Sequence, residues 1–292
     1  MKPFGKATAG GFIVAILMAT VTGCAGEPAL QRLQEARRLT AELLVQFTKA
    51  ADATNRVVMA DTDEASGAFA REAEQATQAV QRNSDALKPL LVGLGYSKES
   101  QLLEEFDGRF AEYRALDRSI LELALENTNV KAQRLSFGPA QEAANAFRDS
   151  VEALARSAPA NNWQIRALAA TAVSAVREIQ VLQAAHIPEA DDTAMTRIEK
   201  QMATAESATR RALKTLADAV PPEAKPELAA AAAALDRFIG LNTQIIGLSR
   251  RNTNVRSLAL SLGEKGTLTA RCEESLRALE GNLAKRGFSG TR

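Results

Sequence analysis

An all-α protein built from a tandem repeat is predicted by three features of the sequence. From about residue 27 the chain is rich in Ala, Leu, Glu, Gln and Arg, residues that lose little freedom on entering a helix. Its prolines and glycines fall at a few punctuation points, and no segment alternates β-branched and polar residues as a strand would. Finally, "ENTNVKAQRLSFG" at 126–138 is written again as "RNTNVRSLALSLG" at 251–263, with seven of thirteen positions identical.

The punctuation divides the chain into eight helices. Pro28 suits a first helical position, so the first helix is expected from there to about Ala60. "DTDEASG" turns the chain into a second helix reaching about Val92, and "GLGYSKES" closes that helix with glycine, leaving Ser97 to cap the third. The third helix runs to about Glu126. "NTN" then interrupts, and a fourth helix follows from about Asn129 to Ser157, bent at Gly138 and Pro139. The second half repeats the plan, with helices at about 162–185, 192–219, 223–250 and 254–285.

Core positions recur along with the connections. Phe110, Tyr113, Leu116, Ile120 and Leu123 fall on one helical face, and Leu235, Phe238, Leu241, Ile245 and Leu248 fill the equivalent places 125 residues later. In the fourth helix Ala140, Ala144, Phe147, Val151 and Leu154 form a seam, continued in the repeat by Cys272, Leu276 and Leu279. Helices of about 30 residues, each ~45 Å long, with short connections predict two tandem up-down-up-down four-helix bundles of about 125 residues each. The expected domains are 24–157 and 158–292. On this plan each "NTN" makes a tight hairpin, in which an asparagine or threonine ends the third helix and caps the fourth. The alanine run 229–234 lets its helix approach its neighbours closely.

The N-terminus predicts a compartment. Lys2 and Lys6 precede an apolar stretch, "GGFIVAILMATV", which is too short for a comfortable span and suits a secretory signal. "VTGC" follows directly and resembles a bacterial lipobox, which makes 1–23 a lipoprotein signal peptide and Cys24 the lipidation site. Cleavage there leaves 292 − 23 = 269 residues. Ala25 resembles an outer-membrane sorting residue, so a periplasmic, lipid-anchored protein at the outer membrane is expected. Cys272 is the only other cysteine, and its seam position makes it a buried, inert thiol.

Charge is balanced, 36 basic against 35 acidic residues, and aromatics make up only 4%. That argues against the basic and stacking surfaces on which nucleic acid is held, and no nucleic-acid partner is expected. Up-down topology brings the first and third connections of each bundle together. Asp61, Asp63 and Glu64 should then lie beside Asn127 and Asn129, and Glu189, Asp191 and Asp192 beside Asn252 and Asn254. Two readings follow: helix caps, or a polar ligand site in which the four asparagines bind. His186 is the only histidine and reads as a surface loop residue. With it alone, the paired Glu-x-x-His motifs of di-iron bundles cannot be built, and no haem attachment motif or Gly-rich phosphate loop is present. No cofactor, metal or enzymatic activity is expected.

The stretches "LELALENTNVKAQRLSFGPAQEAANAFRDSVEAL" (121–154) and "IGLSRRNTNVRSLALSLGEKGTLTARCEESLRAL" (246–279) resemble the periplasmic four-helix-bundle sensor domain of methyl-accepting chemotaxis receptors. The resemblance implies sensing of a small molecule or partner outside the cytoplasm. Such receptors flank the bundle with spanning helices and continue into a cytoplasmic signalling hairpin. Here the expectation is a lipid-anchored sensor-like binding module without an output domain of its own. The alternative is a structural or adaptor envelope lipoprotein that binds a protein partner through its helical faces.

Overall fold

The computed structural model describes residues 26–158 and 162–287. Cys24, the signal segment and Pro159 lie outside them. The described chain is all-α, as its composition predicts, and contains no strand. In order, the elements are α1 (Gly26–Met59), α2 (Asp63–Leu94), α3 (Ser97–Glu126), α4 (Thr128–Leu135), α5 (Gln141–Ser157), α6 (Trp163–His186), α7 (Asp192–Ala219), α8 (Lys225–Arg251), α9 (Thr253–Leu260) and α10 (Gly266–Lys285). A π-turn joins α4 to α5 at Ser136–Ala140, and another joins α9 to α10 at Ser261–Lys265.

Local chemistry sets most helix ends. Thr62 Oγ1 accepts from the Ala65 amide at 3.1 Å, Asn162 Oδ1 from Ile165 at 3.2 Å, and Asp191 Oδ1 from Ala194 at 2.6 Å, each satisfying a first-turn N–H. Gly95 ends α2 with φ 70°. There its amide reaches Val92 O and the Tyr96 amide reaches Leu91 O, each at 3.0 Å. Ser97 does not cap α3 as expected: it is the first helical residue, after Tyr96, which makes no side-chain cap. The expected bend at Gly138 and Pro139 is a π-turn, and its repeat keeps the same form with Glu264 in place of the proline. Of the alanine run, Ala231 is buried and Ala234 packs half-buried on the same core, while Ala229, Ala230, Ala232 and Ala233 are exposed, so only two of the six face a neighbour.

Two large cores and a small one of Val57, Val58, Ile120 and Ala124 form among the described residues, and the two large ones do not follow the repeat boundary. One unites Leu33, Leu43, Phe47, Val80, Leu87, Phe106, Phe110 and Tyr113 of α1–α3 with Cys272, Leu276, Leu279 and Leu283 of α10. The other unites Ala140, Phe147, Val151 and Leu154 from the first half with Ile165, Ile179, Leu216, Leu235 and Phe238 of α6–α8. Each half therefore contributes its fourth helix to the other half's bundle. The first bundle is α1, α2, α3 and α10; the second is α5, α6, α7 and α8. The domains 24–157 and 158–292 divide the sequence repeat but not the packed units. The predicted hairpin at "NTN" is absent too: α4 packs on α8 and α9 on α3, and neither fourth helix folds back along the third helix of its own half.

All the predicted seam residues still point inward, because a seam fixes a face and any bundle with a matching groove can receive it. In the first bundle Phe47 sits edge-on to Phe106 (centroids 6.0 Å) and Tyr113 (5.1 Å), contacts worth about 0.5–1.5 kcal/mol each beyond area burial. At the far end of this bundle Arg286 holds Glu99 with two bonds of 2.8 Å. Arg37 donates there to the carbonyls of Leu283, Ala284 and Arg286 at the end of α10. The opposite end meets the second bundle.

Candidate functional site at the bundle junction

The two "NTN" motifs meet face to face. Asn127 (φ 51°) and Asn252 (φ 54°) are the only described non-glycine residues in the left-handed region. Asparagine tolerates that conformation better than other side chains. Each breaks its helix for one residue and sends the chain into the other bundle. Beyond the breaks, the free amides of α4 and α9 are capped by the opposite repeat. Thr128 N donates to Thr253 Oγ1 and Thr253 N to Thr128 Oγ1, both at 3.2 Å, and the two hydroxyls lie 3.1 Å apart. Asn129 N donates to Asn254 Oδ1 and Asn254 N to Asn129 Oδ1, both at 3.1 Å. Capping is thus the observed role of these residues, exerted across the repeat.

Every oxygen and amide nitrogen of the four asparagine side chains makes at least one hydrogen bond. Asn127 Nδ2 donates to Asp63 Oδ1 and Ser66 Oγ, each at 3.0 Å, and its Oδ1 accepts from Asn254 Nδ2 at 2.8 Å. Asn129 Nδ2 donates to Ile187 O at 2.6 Å and to Asn252 Oδ1 at 2.8 Å. Asn252 Nδ2 donates to Glu189 O at 2.7 Å. The expected pairing of first and third connections holds for Asn127 and Asn252 but not for their neighbours: Asn129 bonds Ile187 O of the second bundle rather than the acids of the first, and Asn254 bonds Asn127, because the chain has already crossed the junction at these positions. Three of the nearby acids are occupied: Asp191 caps α7, Asp192 pairs with Arg250 at 3.3 Å, and Asp63 accepts from Asn127. Asp61 contributes its carbonyl, which accepts from Arg134 at 2.7 Å. Glu64 stays in the first turn of α2. No group of metal-ligating side chains occurs among the described residues.

His186 is not a surface loop residue. It ends α6 and is wholly buried. Its Nδ1 lies 2.8 Å from Ser249 Oγ and its Nε2 2.9 Å from Glu199 Oε1, while Arg250 grips the same carboxylate at 2.6 and 3.0 Å. The Arg250 guanidinium, aided by His186, holds the Glu199 carboxyl below the usual carboxylate range against the opposing effect of burial. The serine–histidine–glutamate order is that of an acyl-transfer triad, but Ser249 is completely buried and its hydroxyl also bonds the His186 carbonyl at 2.9 Å. The serine has no open face, and the line ties α6, α7 and α8 together.

Sequence reasoning also missed a polar layer in each bundle beside the π-turn. In the second bundle Ser136 donates to Gln183 at 2.8 Å, and Gln183 to Asn242 at 2.8 Å. In the first, Ser261 donates to Asn55 at 2.9 Å. Buried Lys265 there reaches Asn55 Oδ1 at 3.2 Å, Ala51 O at 3.1 Å and Asp117 Oδ1 at 3.5 Å. Thr54 Oγ1 lies 3.2 Å from Asp117 Oδ2. Burial pushes the Asp117 carboxyl up and the Lys265 ammonium down, and their mutual attraction opposes both shifts. The signal was in the sequence: a lysine where the seam has Ala140, and an aspartate where the other third helix has Asn242. Cys272 is buried in the first core as expected, its thiol pushed up to about 12 by desolvation.

An open feature adjoins the junction at α4. A cleft of about 270 Å³ is walled by Val130, Phe137, Ala184, Ile187, Pro188 and Val255, with Asn129 and Gln133 at its polar side. Val255 comes from the second repeat, so both halves build it. Phe137 is 65% exposed and its repeat equivalent Leu262 is 77% exposed. No helix among the described residues is long and apolar enough to cross a membrane. No protein-family model, curated protein or solved structure matches the chain.

Proposed function

We propose that the protein is a lipid-anchored, periplasmic, sensor-like helical binding module that carries out no chemistry of its own. The junction cleft is the observation that carries this reading. Its walls come from both repeats and lie directly on the capping cluster, so a ligand seated there touches both bundles at the point where they are joined. The lining is uncharged, and it is apolar apart from two amides. It suits a compact, mainly apolar ligand with one polar group for the Gln133 amide. Asn129 then borders the ligand while keeping its structural bonds, and Asn127, Asn252 and Asn254 serve the junction alone. A screen of small apolar acids, alcohols and aromatic compounds by thermal shift tests the reading, since a bound ligand raises the melting temperature by mass action. Val130→Trp should fill the cleft and abolish any shift. A ligand whose shift survives that substitution binds elsewhere, and the assignment fails.

A second reading, an adaptor that docks an envelope protein on its helical faces, rests on the exposed Phe137 and Leu262 at equivalent places in the repeat. Replacing both by serine should abolish partner capture in crosslinking and leave the melting temperature unchanged if that reading holds.

A further inference from the structure

The caps at the junction cannot tell one half from the other. Asn127, Thr128 and Asn129 are matched letter for letter by Asn252, Thr253 and Asn254. Two copies of the first half, from two chains, could therefore exchange fourth helices and cap each other equally well, as could two copies of the second half. The residues that differ between the repeats decide against this. Glu126 and Arg251 occupy equivalent positions, 125 apart, and face each other across the junction at 2.7 Å. Pairing like halves would set Glu126 against Glu126 and Arg251 against Arg251. The second difference is buried. Lys265 on the second half's fourth helix is 2% exposed and meets Asp117 of α3 at 3.5 Å. Its equivalent on the first half's fourth helix is Ala140, and the equivalent of Asp117 is Asn242. A first half paired with its own kind would enclose Asp117 opposite alanine. A second half so paired would enclose Lys265 opposite Asn242.

We propose that these two charge pairs, Glu126–Arg251 and Asp117–Lys265, form a recognition code that makes each half accept the fourth helix of the opposite half and reject that of a like half. An enclosed charge stripped of its partner is strongly unfavourable, whereas the neutral caps are indifferent to which half supplies them. The covalent link raises the effective concentration of the correct partner, and the code adds to it where chains are crowded.

The test uses the full chain with Cys24→Ser and Cys272→Ala, spin-labelled in pairs. Glu112 and Arg271 flank one cleft between α3 and α10, and Ala146 is the repeat equivalent of Arg271. The parent should be monomeric by light scattering, with a short 112–271 distance. In Ala140→Lys/Lys265→Ala, made together with Glu126→Gln/Arg251→Gln so that the surface pair no longer opposes it, the like pairing of first halves regains an ammonium opposite Asp117, and the pairing within one chain loses it. After refolding at high concentration this variant should be mostly dimeric, with a short distance between chains labelled singly at 112 and at 146. Adding Asp117→Asn and Asn242→Asp moves the whole pair into the second bundle and should restore the monomer and the 112–271 distance. Retention of the parent's monomeric state and distance by Ala140→Lys/Lys265→Ala with Glu126→Gln/Arg251→Gln would overturn the code. If that variant does not fold, Glu126→Gln/Arg251→Gln/Asp117→Asn/Lys265→Met decides. Dimers beside monomer on concentrated refolding support the code, and purely monomeric refolding refutes it.

Discussion

Asn129 offers the sharpest test of capping across the repeat. Alanine there removes three bonds: the acceptor for the Asn254 amide at 3.1 Å, and the donor to Ile187 O at 2.6 Å and to Asn252 Oδ1 at 2.8 Å. Losing the cap costs about 1 kcal/mol. Leaving the Ile187 carbonyl and the Asn252 side chain without a donor inside the junction adds about 1–3 kcal/mol. Asn129→Ala should therefore destabilise the protein by about 2–4 kcal/mol, read as a lowered urea midpoint at constant slope. The decisive measurement is a double-mutant cycle with Asn252→Ala. The two side chains share one buried hydrogen bond, so the double variant should lose about 1 kcal/mol less than the sum of the single losses. Any strain from alanine in the left-handed conformation at 252 cancels in that difference. Two separate hairpins would place these residues in different units and make the losses additive. Additivity to within about 0.3 kcal/mol would refute the exchange of helices.

Three further outcomes follow from particular groups. The Glu199 carboxyl is lowered by Arg250 and His186, so its contribution to stability is fully present above the ordinary carboxylate range and is lost as pH falls through the lowered value. Acid titration of the melting temperature should show that loss, and Glu199→Gln should remove this component, leaving a lower and flatter profile. Cys272, buried and with its thiol pushed up to about 12, should resist a thiol reagent at pH 8 in the native protein and react at once in urea. Cys24→Ser should shift the protein from the membrane fraction to the soluble one or leave it unprocessed. Equal membrane association after a high-salt wash would exclude lipidation there.

Much of the fold could be read from the chain because helix faces are written locally. The seam from Ala140 to Leu154 needs only the spacing of its own residues to declare which side is buried. Which bundle buries it depends on partners far away in sequence, and the repeat makes the two candidate grooves nearly alike. The hairpin expected at Asn127 was the shortest connection consistent with that ambiguity. The only local signs against it were charges: Glu126 against Arg251 beside identical motifs, and a lysine on an otherwise apolar seam. His186 failed for a different reason. The nearby Pro188 suggested a loop, but the helix continues through His186, and Ser249 and Glu199 enclose the ring from elements more than ten residues away.

Because the chain passes between the bundles twice, once at Asn127 and once at Asn252, the junction is mechanically a double strut. A single crossing would act as a swivel, letting one bundle rotate freely about its tether. Two crossings locked to each other by reciprocal caps resist both torque and shear, so twisting one bundle must turn the other or break the Thr128–Thr253 and Asn129–Asn254 bonds. Load applied at one end of the molecule therefore reaches the other through covalent backbone along two lines, and the junction should yield all at once.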